Sequence, residues 1–195
     1  MTPPDIIEIA LKVIKIFEKL DIEYYIGGSL ASSAFGIARA TLDVDIIANV
    51  KPEHISPINE LLREEFYVDE EMIRDAVSHA SSFNLIHFAT MFKVDVFVLQ
   101  ETPFEKQILA RRVKKPVSED ATKQLFFATP EDIILGKIVW FKKGGSVSDR
   151  QWSDVLGVMK VQGAKLDKAH LKHWAKNLKV DGLLQKAFDE AGLES

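Results

Sequence analysis

The chain has no cysteine among its 195 residues. Disulfides and thiolate metal sites are therefore excluded, and a reducing compartment is the expected setting. It has no apolar run approaching membrane-spanning length. The first residues, Pro3-Pro4-Asp5 ahead of an amphipathic stretch, lack a basic leader region and a cleavage site. A cytoplasmic protein without a membrane partner is expected. A basic surplus is also missing: the net charge is −4 and the isoelectric point is about 5.8. A general nucleic-acid binder is usually basic, so contact with RNA would have to rest on a local patch. The dense basic cluster is Arg111, Arg112, Lys114 and Lys115.

What is present is the balance of an ordinary globular domain, with 47% hydrophobic and 28% charged residues. Apolar residues Ile6, Ile9, Val13, Ile16, Phe17 and Leu20 recur at helical spacing, which predicts a helix over Asp5–Leu20. A short strand follows at Ile22–Ile26. Gly27-Gly28-Ser29 breaks it, with Ser29 placed to cap a helix from Leu30 to about Phe35. A loop leads to an apolar strand, Asp43–Val50. Pro52 suits the first position of a helix running to about Glu65. Strands are expected at Ser82–Phe88 and Phe92–Leu99. A short helix from Pro103 and one or two strands fill the stretch to Phe127. From Thr129 the pattern turns helical, with predicted helices at Pro130–Lys143, Asp149–Val161, Asp167–Asn177 and Asp181–Ala191. The expectation is an α+β (α/β) protein: a mixed sheet flanked by helices over residues 1–128, then a helical bundle over 129–195.

The most specific feature is a set of three aspartates. Strand side chains alternate, so Asp43 and Asp45 share a face opposite Val44, Ile46 and Ala48. Asp95 sits between Val94 and Val96 in the later strand and divides its faces the same way. If the two acidic faces align, three carboxylates converge. Unit charges about 6–7 Å apart repel by roughly 2–3 kcal/mol at an effective dielectric near 20, so such a group demands a cation or raised pKa values. Oxygen-only ligands suit Mg²⁺, with Mn²⁺ as a substitute, and paired metals clamp the attacking and leaving oxygens of an in-line displacement. The glycines of the preceding turn permit close backbone approach, and a helix start offers N–H groups to phosphate.

Other residues have plain readings. Arg39 and Thr41 precede the acidic pair and suit either phosphate contact or loop capping. Lys137 lies in an almost wholly apolar helix, Ile133–Phe141, where an ammonium needs a partner. Arg150 and Asp154 stand four apart, the spacing of a surface ion pair. Trp152 shares a face with Val155 and Met159 and is expected in the core. His170 and His173 are three apart, which permits joint metal binding, with no third ligand near in sequence.

Tyr25-Ile-Gly-Gly-Ser29 followed, after a spacer of thirteen residues, Leu30 to Leu42, by Asp43-Val-Asp45, and later by Lys93-Val-Asp95-Val-Phe97, resembles the signature of the nucleotidyltransferase superfamily typified by DNA polymerase beta. The pattern Arg39-x-Thr41-x-Asp43-x-Asp45 is similar to that of the AbiEii-type and related small bacterial nucleotidyltransferases. Glu131, Lys137, Arg150 and Asp154 match their downstream helices more loosely, and the likeness covers roughly residues 5 to 160. The resemblance implies that Asp43, Asp45 and Asp95 are catalytic and hold Mg²⁺, and that Gly27, Gly28, Ser29, Arg39, Thr41 and Lys137 bind the nucleoside triphosphate. It implies transfer of a nucleoside monophosphate to a hydroxyl of a small molecule, protein or tRNA end, with release of pyrophosphate, and in some members a toxin paired with an antitoxin. The alternative is the same fold used as a non-catalytic interaction or regulatory protein.

Overall fold

The computed structural model describes residues 5–117 and 122–194. In chain order its elements are α1 (Ile6–Lys19), β1 (Tyr24–Ile26), α2 (Gly28–Phe35), β2 (Asp43–Ala48), α3 (Ile55–Leu62), β3 (Phe66–Tyr67), α4 (Glu70–His79), β4 (Ser82–His87), β5 (Lys93–Val98), α5 (Pro103–Arg111), β6 (Val113–Pro116), β7 (Gln124–Phe127), α6 (Pro130–Lys143), α7 (Asp149–Gln162), α8 (Lys168–Asn177) and α9 (Asp181–Ala191). Among the described residues no helix is long and apolar enough to cross a membrane. The chain divides into two compact units. One joins the residues up to Gly27 with Thr41–Phe127, and the other joins Gly28–Ala40 with the residues from Ala128 onward.

The first unit is built on a mixed sheet in the order β3-β4-β5-β2-β1-β7-β6. β2 runs parallel to β5 and β1 parallel to β7, and the other neighbours are antiparallel. Alternation decides which side is core. Val44, Ile46, Ala48, Val94, Val96, Phe83 and Leu85 are all buried, and each fully buried Val, Leu or Ile contributes about 1.5–3 kcal/mol. Their sequence neighbours on the other side are half-buried or, at Ser82, exposed. α1 begins where the Asp5 carboxylate accepts from the Glu8 N–H at 2.9 Å, and it buries Ile9, Val13, Ile14 and Phe17.

Two expectations are corrected in this unit. The helix predicted from Pro52 to Glu65 is a 3-10 turn over Pro52–His54 followed by α3, which ends at Leu62. Phe66-Tyr67 then forms β3 on the sheet edge, and α4 starts at the Asp69 cap, whose carboxylate accepts from the Met72 N–H at 3.0 Å. Neither element was predicted. Two residues are too few to show a period, and the strongly charged start of α4 hides its single apolar stripe, Ile73 and Ala76.

The second unit is helical. Gly36 fixes the approach of α2 to α7: a Cβ there would lie 2.8 Å from the Val158 nitrogen and 2.9 Å from the Gly157 carbonyl carbon. The Gln162 side-chain amide donates to the Phe35 carbonyl at 2.6 Å. α6 and α8 are joined at their starts. His170 Nε2 lies 2.8 Å from Asp132 Oδ1, Thr129 donates to Asp132 Oδ2 at 2.8 Å, and the Asp167 N–H donates to Glu131 at 2.9 Å. His170 is thus a buried structural partner of Asp132, and His173 lies 3.0 Å from the Asn177 amide. Trp152 is half-buried against Phe141, with ring centroids 5.0 Å apart, and its N–H donates to Glu190 at 2.6 Å.

Candidate functional site

The carboxylate face belongs to the first unit. β2 and β5 are parallel and in register, with Asp43 opposite Lys93 and Asp45 opposite Asp95. Cross-strand partners point to the same side, and neighbouring strands lie about 4.8 Å apart. The expected alignment of the three acids on one face is therefore present. On the far side of β5, Asn84 of β4 stands opposite Asp95, so a neutral oxygen donor shares this face. Both Asp95 and Lys93 are partly accessible, with side-chain exposures of 19% and 45%.

Each end of the face is held by a polar neighbour. Thr41 Oγ1 donates to Asp43 Oδ1 at 2.6 Å; this hydroxyl orients the first carboxylate. Lys93 Nζ lies 2.8 Å from Asp95 Oδ2. That hydrogen bond, with the attraction of Asp95, Asp43 and Asp45, raises the Lys93 ammonium above its ordinary pKa despite some burial. Among the described residues no three His, Asp or Glu side chains are assembled closely enough to hold a metal ion as they stand. The donor set nonetheless fits a hard divalent cation: carboxylate and amide oxygens and no sulfur. Two carboxylates on directly opposed residues about 5 Å apart would repel by about 3 kcal/mol at an effective dielectric of 20, and a cation relieves this.

Gly27 closes the sheet end of the glycine turn. Its N–H donates to the Asp45 carbonyl at 3.0 Å, and a Cβ would lie 2.7 Å from Ile47 Cδ1. Gly28 has φ +54°, a left-handed conformation that favours glycine. Ser29 departs from its expected role. The helix begins at Gly28, so Ser29 lies inside the first turn, and its hydroxyl accepts from Arg39 Nη2 at 2.5 Å.

Arg39 and Lys137 meet within the second unit, on Asp154. Arg39 donates through Nε to Oδ1 and through Nη2 to Oδ2, both at 2.9 Å, and Lys137 donates to Oδ2 at 2.8 Å. Asp154 and Lys137 have only 7% and 11% side-chain exposure, and Arg39 has 27%. Burial alone would raise the Asp154 carboxyl, but the hydrogen bonds and charges of Arg39 and Lys137 hold it below the usual carboxylate range. The expected surface pair between Arg150 and Asp154 is replaced by this buried knot, because Asp154 points into the unit while Arg150 is exposed. Two cations share one carboxylate.

Sequence reasoning assigned no role to Lys93 or Asn84. Period two places Lys93 on the face of Asp95, a signal available in the sequence; Asn84 needed the strand register. In the basic cluster, Arg112 donates to the Leu109 carbonyl at 2.6 Å, lies 3.3 Å from Glu23, and stacks 4.7 Å from the Phe126 centroid. It is a structural clamp on the edge of the sheet.

No protein-family model matches the sequence, and none of the curated proteins matches it. Solved structures do. The solution structure of the antibiotic-resistance factor ANT(2'')-Ia aligns with a TM-score of 0.56 at 12% identity, covering 92% of this chain and 95% of that one. Its crystal structure in complex with adenylyl-2"-tobramycin gives 0.54 at 10%, covering 88% and 95%. An antigenic nucleotidyltransferase-like protein from Paracoccidioides brasiliensis gives 0.54 at 17%, covering 95% and 93%. The similarity spans nearly the whole of both chains in each case, and this chain has the nucleotidyltransferase fold.

Proposed function

We propose that the protein is a metal-dependent nucleotidyltransferase that moves a nucleoside monophosphate from a triphosphate to a hydroxyl acceptor. The observation that carries this reading is the register of β2 and β5, which sets Asp45 opposite Asp95 with Asp43 on the same face. In the proposed step the acceptor oxygen forms a bond to the α-phosphorus. The bond from that phosphorus to the bridging oxygen breaks, and pyrophosphate leaves. Asp95 takes the hydroxyl proton and passes it to solvent. Asp43, Asp45 and Asp95 would hold Mg²⁺, which when bound supplies positive charge against the triphosphate. Thr41 orients Asp43. Arg39, Lys137, Gly27, Gly28 and Ser29 would contact phosphate oxygens, the two cations by charge-assisted hydrogen bonds.

The bound adenylyl-2"-tobramycin of a fold neighbour is a nucleotidyl group on a small molecule, which favours a small hydroxyl compound as acceptor here. The AbiEii-type likeness of Arg39–Asp45 extends the reading to a toxin held by an antitoxin, in which case growth arrest on expression should require Asp43 and Asp45.

The test is incubation of the protein with each of the four α-labelled nucleoside triphosphates, Mg²⁺ and cell extract. Label should move to one extract component and pyrophosphate should be released. Asp43→Asn with Asp45→Asn should abolish both. A wild-type protein that transfers no label from any nucleotide would instead be an interaction module on this fold.

A further inference from the structure

Lys93 shares the carboxylate face with Asp95. It stands two residues before Asp95 on β5, so strand geometry puts both side chains on one side. Its ammonium lies 2.8 Å from Asp95 Oδ2, and its strand register is opposite Asp43. The electrostatic influence of Asp43 and Asp45 reaches it as well. Asp95 itself is held on a strand paired on both sides, by β2 and by β4, whereas Lys93 has a four-carbon stem and nearly half its side chain in water. The lysine is the longer and more exposed side chain of the pair.

We propose that Lys93 is a built-in counter-ion that competes with divalent metal for the Asp95 carboxylate, so that metal binds this face weakly on its own and more tightly together with the nucleotide. The inference rests on the nucleotidyl-transfer reading and concerns how the metal is admitted. Three carboxylates and one ammonium share the face. A free divalent cation must displace a charge-assisted hydrogen bond to reach Asp95 and then tolerate a nearby ammonium. A triphosphate changes both terms. It brings its own metal, and its oxygens offer the displaced ammonium another anion. Lys93 acts through Asp95 and is a positioning residue, and its consequence is thermodynamic coupling between metal and nucleotide.

The experiment is Mn²⁺ binding to the full chain, followed by electron paramagnetic resonance, with and without the non-transferable nucleotide α,β-methylene ATP. Lys93→Met removes the charge and keeps most of the stem. Its Mn²⁺ affinity without nucleotide should rise about tenfold over wild type, the equivalent of about 1.4 kcal/mol. With the analogue present the difference should shrink to less than about threefold. Lys93→Arg should restore weak metal binding, and Lys93→Gln should repeat the result of Lys93→Met, with circular dichroism confirming the fold of each. Asp43→Asn and Asp95→Asn should remove the bound Mn²⁺ in either background. Equal or weaker Mn²⁺ binding by Lys93→Met overturns this proposal alone and leaves nucleotidyl transfer standing. Absence of Mn²⁺ binding in every protein, with and without nucleotide, overturns both.

Discussion

Replacing Asp154 with asparagine preserves the size of the side chain and removes the charge on which Arg39 and Lys137 meet. Three charge-assisted hydrogen bonds of 2.8–2.9 Å end on that carboxylate. Removing one partner from a buried ion pair costs about 3–5 kcal/mol, because the remaining charge is left without compensation. Lys137 is nearly buried and suffers most of this; Arg39 keeps some water and the Ser29 hydroxyl. We therefore expect about 3 kcal/mol of destabilisation for Asp154→Asn, or a fall of about 6–12 °C in Tm for a domain of this size. Trp140, Trp152 and Trp174 all lie in the helical unit, so urea unfolding followed by tryptophan fluorescence reads the affected unit directly. Acid sharpens the result. The folded pKa of Asp154 is depressed, so its contribution is complete above the unfolded value of about 3.9 and is lost as pH falls through the folded value. The wild type and Asp154→Asn should converge in stability at low pH. A loss below about 1 kcal/mol at pH 7, the range of exposed pairs, would refute the picture of a buried triad.

Other consequences follow from single contacts. Thr41→Val should leave the fold intact and lower transfer by about tenfold, since it removes the hydroxyl that orients Asp43; an unchanged rate would show that Asp43 is held by other means. Gly36→Ala should cost about 1–3 kcal/mol in urea unfolding, because the new methyl meets backbone atoms of α2 and α7 that cannot rotate away; a neutral or stabilising effect would contradict the close approach. His87 is buried beside Phe66, with ring centroids 5.2 Å apart and its Nδ1 2.9 Å from the Thr90 hydroxyl. Burial and the charge of Lys12 lower its pKa, so the neutral ring is favoured in the fold. Its stabilisation is complete above the unfolded pKa of about 6.5 and diminishes as pH falls toward the folded value. His87→Phe should flatten the dependence of stability on pH below about 6.5; an unchanged slope would refute the assignment.

Much of the carboxylate face was legible because it obeys a local rule. Alternation of Val44, Ile46 and Ala48 with Asp43 and Asp45, and of Val94 and Val96 with Asp95, fixes which side each residue takes without knowledge of the partner strand. Helices with a cap and a proline at their start, such as α6 after Thr129-Pro130, were legible for the same reason. The arrangements that were not legible join distant residues. Asp154 meets Arg39 across 115 residues of sequence, and its spacing from Arg150 suggested a nearer partner that it does not use. Ser29 looked like a helix cap because serine often is one, yet the left-handed Gly28 starts the helix a residue earlier. The grouping of α2 with α6–α9 also follows from tertiary packing at Gly36, which no periodicity reveals.

The most direct measurement of the central claim is the rate of pyrophosphate release as Mg²⁺ is titrated, for the wild type and for Asp95→Asn, with the accepted nucleotide and its acceptor present. The account predicts a saturable Mg²⁺ dependence in the wild type and a rate at least about 100-fold lower in the variant at every Mg²⁺ concentration. Equal rates in the two proteins, or release that is indifferent to Mg²⁺, would contradict it.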